Sequence, residues 1–141
     1  MKKILVFIFA FIKMKTSYSK VELYNIAGIL SDGLGGVFLI LLASFIYPLI
    51  GFSFSGVYEY VVFAFVSMTG IIHYMALKNP SSQVVLMNLT VIIRVFASSV
   101  FFALFANGKL GFEALAICLF DLSFVFIYLI YFYQKEFLCK D

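Results

Sequence analysis

The sequence contains no tryptophan, one histidine, two cysteines and two prolines, and charged residues make up only 12% of its 141 residues. Cys118 and Cys139 lie far apart along the chain, which argues against a disulfide framework. One histidine and two separated cysteines also do not supply the clustered ligands of a zinc site. We therefore expect neither a bound metal ion nor a cofactor.

Motifs of known enzyme chemistries are missing as well. The chain has no His-Glu-x-x-His motif, no Gly-x-Ser-x-Gly nucleophile elbow and no Walker phosphate-binding loop. Gly33-Leu34-Gly35-Gly36 looks like a fragment of a nucleotide-binding loop. It lies inside an apolar run and does not follow a strand, so we interpret it as a helix-packing segment.

Apolar residues dominate the composition. The hydrophobic fraction is 65%, whereas a typical soluble domain is about half apolar. A small soluble domain leaves a large share of its surface exposed and could not bury so many apolar side chains. The lipid bilayer is therefore the first expected partner. The basic residues form no stripe on a polar surface, which argues against nucleic-acid binding.

Four apolar runs are long enough to cross a bilayer as helices, which takes about 20 residues each. Backbone groups in hydrocarbon must bond to one another, so helix is the expected state of every run. Short loops then predict an all-α, integral membrane, up-down four-helix bundle, with the first run ending before Pro48. The predicted spans are Leu23–Ile46 (span 1), Val57–Leu77 (span 2), Val84–Ala106 (span 3) and Phe112–Tyr133 (span 4).

Short basic segments flank this transmembrane domain, which we place at residues 21–134. Residues 1–20 contain the apolar stretch Ile4–Ile12, whose nine residues are too few to span a bilayer as a helix. No small-residue cleavage site follows, which argues against a cleaved signal peptide. Two interpretations stay open: the segment is a short interfacial helix, or translation starts at Met14. Residues 135–141 form a C-terminal tail.

Lysine placement predicts the orientation of the bundle. The side that holds both termini and the loop between spans 2 and 3 carries eight lysines, and the opposite side carries only Lys109. We call these the lysine-rich side and the opposite side. The positive-inside rule predicts cytoplasmic N- and C-termini in a multi-pass protein of the cell (inner or plasma) membrane.

Three ionisable residues interrupt the apolar runs: Asp32 in span 1, Arg94 in span 3 and Asp121 in span 4. With a rise of about 1.5 Å per residue, each lies about 14–15 Å from one end of its span, near the bilayer midplane. Ionisable residues at this depth usually face the protein interior or a wet cavity. We therefore predict that Arg94 pairs with Asp121, with Asp32 or with both.

This midplane cluster, defined as Asp32, Arg94 and Asp121, has two open interpretations. The pairing fixes the register of the helices, or the cluster forms a functional polar pocket or relay. If all three residues are ionised, the cluster carries one excess negative charge, which a proton or a bound cation would balance.

Two further sets of residues are grouped by position: one set lies at a common depth in the bilayer, and the other lies on one face of span 1. A second polar level, nearer the lysine-rich side, consists of Asn25, His73 and Asn88. A small-residue face on span 1, next to the acidic residue, consists of Gly28, Gly35 and Gly36. A lone histidine at such a level is more often hydrogen-bonded than a proton carrier, and small residues let helices approach closely.

Several short motifs together carry a family resemblance over most of the chain after Lys20. They are Leu23-Tyr24-Asn25-Ile26-Ala27-Gly28, the proline after span 1, Arg94 in span 3 and Asp121 in span 4. In this layout the chain resembles the DoxX-like group of small four-helix membrane proteins. The resemblance implies a four-helix bundle and leaves the function open, since such families include accessory subunits.

These features predict a small polytopic membrane protein without enzymatic activity. Its expected role is that of an accessory subunit or of a binder of a lipid or other hydrophobic molecule. Its expected protein partners are another membrane protein or further copies of itself. The alternative is a proton- or cation-coupled small transporter that uses the midplane cluster, and an enzyme comes third. A closed ion pair would favour the first role, and a wet cavity with an unpaired aspartate the transporter.

Overall fold

The computed structural model describes residues 18–49, 54 and 56–133, and within these ranges all regular structure is helical. Most of the N-terminal segment and the C-terminal tail lie outside the described residues, so the predictions made for them stay predictions. The helices are long and apolar enough to cross a membrane four times. They confirm the predicted all-α four-helix bundle and mark the chain as a small multi-pass membrane protein.

The helix bounds agree with the predicted spans to within a few residues. Span 1 is a continuous helix whose α-helical parts are joined by a π-helical segment, and a 3₁₀ turn precedes span 3. In order, the elements are Lys20–Gly28, Ile29–Leu34 (π) and Gly35–Leu49 in span 1, Val57–Lys78 in span 2, Pro80–Ser82 (3₁₀), Gln83–Ala106 in span 3 and Phe112–Tyr133 in span 4.

Span 1 extends beyond its predicted limits at both ends. At the start, Ser19 and Glu22 form a capping box, in which the Ser19 hydroxyl accepts from the Glu22 backbone N–H and the Glu22 carboxylate accepts from the Ser19 N–H. At the other end the helix continues through Pro48 to Leu49. The prediction that span 1 ends before the proline is therefore wrong. Proline removes one backbone donor, and transmembrane helices tolerate that loss.

Spans 1 and 2 form the first hairpin, and glycines bring their backbones into direct contact. A Cβ atom added to Gly70 would overlap backbone atoms of Gly33. A Cβ added to Gly36 would meet Ser67 and the Phe63 carbonyl. These contacts run in opposite order along the two spans, as antiparallel packing requires. Small residues at an interface let membrane helices approach this closely.

Spans 3 and 4 form the second hairpin, which is held by polar contacts rather than by glycines. Three side-chain contacts run in opposite order along the two helices, as in the first hairpin. The Cys118 thiol donates to the Ser98 carbonyl, Arg94 donates to Asp121, and the Tyr128 hydroxyl donates to Asn88.

The apolar core lies in the lysine-rich half and takes one buried side chain from each span. Its members are Tyr24, Ala76, Met87 and Tyr128. The Tyr24 ring contacts two rings of span 4, with centroid distances of 5.8 Å to Phe124 and 6.0 Å to Tyr128. These aromatic contacts join spans 1 and 4, and they cover the lysine-rich side of the midplane cluster.

Candidate functional site at the bundle midplane

The structure brings the three residues of the midplane cluster together. The Arg94 guanidinium donates from Nη2 to Asp32 Oδ2 and from Nη1 to Asp121 Oδ1. Arg94 is 2% exposed and Asp32 is 3% exposed, whereas the Asp121 side chain is 18% exposed. Both carboxylates are therefore paired with one guanidinium, and only the Asp121 side of the cluster is partly open.

Arg94 is the residue that connects the two hairpins at this depth. Its contact with Asp121 lies within the second hairpin, but its contact with Asp32 crosses to the first. Asp32 also accepts a hydrogen bond from Ser31 Oγ at 2.9 Å, through its other carboxylate oxygen. Charge-assisted hydrogen bonds of this kind are the stronger ones in proteins. The Arg94–Asp32 pair is therefore a charged contact between the two hairpins.

An aromatic ring completes the surroundings of the guanidinium. The Arg94 guanidinium carbon lies 4.1 Å from the centroid of the Phe124 ring, a cation–π contact. The same ring contacts Tyr24, so Phe124 joins the midplane cluster to the apolar core. The third guanidinium nitrogen, Arg94 Nε, is buried, and its N–H has no hydrogen-bond partner among the described residues.

The π-helical segment Ile29–Leu34 positions Asp32 on span 1. A π turn admits one extra residue, and such turns occur frequently at functional sites. This segment carries both the carboxylate of the cluster and Gly33, which touches span 2. Close helix contact and charge placement therefore depend on the same six residues.

The structure brings two members of the second polar level, Asn25 and His73, into direct contact. Asn25 Oδ1 and His73 Nδ1 lie 3.0 Å apart, and both residues are fully buried. Asn25 Nδ2 donates to the Val21 carbonyl at 3.0 Å. Because that carbonyl can only accept, the Asn25 amide orientation is fixed and Oδ1 must accept from His73. His73 Nδ1 therefore carries the proton in the neutral ring, and Nε2 carries the lone pair.

Asn88 lies apart from this pair. It is exposed on span 3, and its Oδ1 accepts from the Tyr128 hydroxyl of span 4. Its depth is similar to that of Asn25 and His73, but it faces the other neighbour of span 3. It therefore strengthens the second hairpin instead of extending the polar level toward span 1.

The predicted small-residue face of span 1 contains positions of two kinds. Gly28 lies directly against the His73 ring, and a Cβ added there would overlap it. Gly36 lies against span 2 in the same way. Gly35 differs, since an added Cβ would meet only the Leu30 carbonyl of its own helix, at 3.6 Å. Two of the three glycines thus lie in the contact between spans 1 and 2.

Sequence reasoning missed some residues that shape the site. Gly70 touches span 1 beside Asp32, and Phe124 lies on the guanidinium. The small pair Thr69-Gly70 in the middle of an apolar span was a usable signal for a close helix contact. Phe124 carried none, because 19 phenylalanines occur in the chain and most apolar rings in a span face lipid.

In the part of the chain that the structure describes, no group of three or more His, Cys, Asp or Glu side chains could hold a metal ion. The cluster's own donor set is two carboxylates already bonded to a guanidinium. The contacts that the structure shows in the cluster are ion pairs and hydrogen bonds.

Comparison with protein families, with curated proteins and with solved structures finds no match for this chain. The resemblance to the DoxX-like group therefore stays a prediction from the motifs that carry it.

Proposed function

We propose that the protein is a non-enzymatic, membrane-embedded binding protein. It acts as an accessory subunit of another membrane protein or as a binder of a lipid or other hydrophobic molecule. In this proposal the midplane cluster organises the interior and holds the two hairpins at a fixed angle. The observation that carries the proposal is the closure of the cluster: one guanidinium is bonded to both aspartates and is 2% exposed.

The same observation weighs against the transporter alternative. A coupled transporter needs a carboxylate that is free to bind and release its ion from a water-accessible cavity. Asp32 is buried between Arg94 and Ser31, and Asp121 is bonded to the same arginine. Within the described residues, neither aspartate is left unpaired.

Asp121 also supports a binding role. Its side chain is 18% exposed, and its neighbours along span 4, Phe120 and Leu122, are exposed apolar residues. A partly exposed carboxylate in hydrocarbon is costly, and a polar group from a bound partner or lipid would satisfy it. We place the contact with the binding partner at this edge of span 4.

The first test is native purification in a mild detergent, followed by mass spectrometry of the intact particle. The expected result is a protein or lipid that copurifies in a defined ratio with the wild type and is reduced for Asp121→Asn. Ser99→Ala is the matched control, since Ser99 is exposed and its hydroxyl donates to the Val95 carbonyl of its own helix. A clean monomer with nothing attached, from wild type and variants alike, would contradict the proposal.

The orientation with both termini in the cytoplasm is part of this proposal and rests on the lysine bias. The tail residue Cys139 should resist a membrane-impermeant thiol reagent applied to intact cells and react after the membrane is opened. The control is Lys109→Cys in a background with Cys139→Ser, which should react from outside. Cys118 is buried and should not contribute in either case. Labelling of Cys139 in intact cells would show that the C-terminus lies outside and would contradict the proposed orientation.

A further inference from the structure

The midplane cluster contains one positive side chain and two acidic ones, and this imbalance requires an explanation. Asp32 and Arg94 are almost fully buried, and Asp121 is mostly buried. A net charge held in a low-dielectric interior is expensive unless a counter-charge neutralises it. Among the described residues, no second basic side chain forms an ion pair with either carboxylate.

We infer that the midplane cluster is a proton-binding site, at which Asp32 and Asp121 together hold one proton beside Arg94. The bound proton adds to a carboxylate oxygen of either aspartate and forms a neutral carboxylic acid. The other aspartate stays ionised and pairs with the guanidinium. Binding changes the charge of the cluster from −1 to zero, and no other reactant is needed. This inference goes beyond the binding role proposed above and does not require transport.

Buried polar atoms on the lysine-rich side of the cluster supply a route for the proton. His73 is 0% exposed, and its Nε2 has no partner among the described residues. Asn25 fixes the ring so that this nitrogen carries the lone pair, as the hydrogen bonds above require. The Nε2 edge lies against Gly28, and Asp32 follows one helical turn later, about 6 Å along span 1.

Tyr24 supplies the second group of this route. Its hydroxyl is buried beside that of Thr90, whose oxygen can accept a hydrogen bond from it. Its ring meets the His73 ring at a centroid distance of 5.4 Å. Arg94 Nε is buried without a hydrogen-bond partner among the described residues, one turn further along span 3 than Thr90. A buried polar group without a partner calls for an explanation, and internal water is the usual one. On this side of the cluster, His73 and Tyr24 are the groups that would relay the proton to the carboxyls.

Every span contributes titratable groups around the cluster, and their charges matter for the inference. Span 1 contributes Tyr24, span 2 contributes His73, and span 4 contributes Cys118 and Tyr128, beside the cluster itself. The tyrosines and the cysteine are neutral in their ordinary protonated forms. Only a protonated His73 would add a positive charge, and its buried Nε2–H would then have no acceptor among the described residues, which makes the charged ring costly. The excess charge therefore has to be balanced at the carboxyls.

Infrared spectroscopy of the full-length protein in lipid nanodiscs at neutral pH tests the inference. The wild type should show a carbonyl band of one protonated carboxylic acid that shifts in heavy water. Asp32→Asn and Asp121→Asn should each abolish this band, because the remaining aspartate then forms a neutral pair with Arg94. Both substitutions keep the side-chain shape and a hydrogen bond to the guanidinium, so the fold should be retained.

The control is Glu113→Gln, which removes a carboxylate at the start of span 4, where it accepts a hydrogen bond from the Gly111 N–H. It should leave the band unchanged. Absence of the band in the wild type would overturn the inference. Loss of the band in only one of the two asparagine variants would overturn it too, since the proton would then belong to a single isolated carboxyl.

Tyr24→Phe tests the route, because it keeps the ring and removes only the hydroxyl. The band should persist, and its exchange with heavy water should become severalfold slower than in the wild type. Tyr128→Phe is the matched control: it removes a hydroxyl from a neighbouring ring, but that hydroxyl points to Asn88. Equal exchange rates in wild type and Tyr24→Phe would show that the proton does not pass Tyr24.

Discussion

Replacing Arg94 with leucine should lower the accumulation and the thermal stability of the protein more than any other single change in the cluster. The substitution leaves Asp32 and Asp121 buried in the bundle without their shared cation. Removing one partner of a buried ion pair typically costs about 3–5 kcal/mol, because the other charge stays desolvated. It also removes the Arg94–Asp32 ion pair, which is one of the contacts between the hairpins.

The size of this effect depends on the aspartates that remain, so further substitutions should reverse it. The double variant Arg94→Leu, Asp121→Leu should accumulate better than the single variant, since one uncompensated carboxyl is gone. Adding Asp32→Leu should restore stability further, because buried ion networks can often be replaced by apolar side chains without loss. Thermal unfolding in detergent and the amount of inserted protein would measure the order of the three variants.

The control for this series is Val95→Leu, which changes an exposed residue next to Arg94 on span 3. It should behave like the wild type. If the double variant accumulates no better than Arg94→Leu alone, the pairing of Arg94 with Asp121 loses its energetic support. A triple variant that is stable but no longer binds a partner would separate the structural role of the cluster from the proposed binding role.

The depth of these charged residues in the bilayer could be predicted from the sequence, but the rotation of each helix about its own axis could not. Hydropathy fixes where a span begins and ends to within a few residues, so Asp32, Arg94 and Asp121 were assignable to one level. Thr90, Arg94 and Ser98 are four residues apart, which places them on one face of a helix, and all three are buried. Charge complementarity supplied the remaining step, because an arginine in hydrocarbon requires an anionic or polar partner.

The features that the sequence did not predict have a common physical origin, which is that contacts between helices depend on packing. Asn88 lies at the depth of His73, yet span 3 is rotated so that Asn88 faces Tyr128. The π-helical segment of span 1 has no sequence signature, since it depends on how that helix is seated against its neighbours. Pro48 is compatible both with a helix end and with a last helical turn, and the structure adopts the latter.

Replacing Gly70 with alanine should destabilise the protein, although alanine is the better helix former. A Cβ atom at this position would overlap the backbone N and Cα of Gly33, and backbone atoms cannot rotate away. Spans 1 and 2 would have to separate, and overpacking of this kind costs about 1–3 kcal/mol. Because Asp32 precedes Gly33 directly, that separation would also move the carboxylate relative to Arg94.

Gly33→Ala is the matched control, because it makes the same chemical change on the other side of the same contact. A Cβ at Gly33 would lie 3.5 Å from the Gly70 Cα, an ordinary van der Waals distance. Thermal unfolding in detergent should therefore place Gly33→Ala near the wild type and Gly70→Ala clearly below it. Equal stabilities of the two variants would mean that the helix crossing at these glycines is looser than the structure has it. If the pairing of Asp32 depends on this crossing, adding Arg94→Leu to Gly70→Ala should cost less than it does in the wild type.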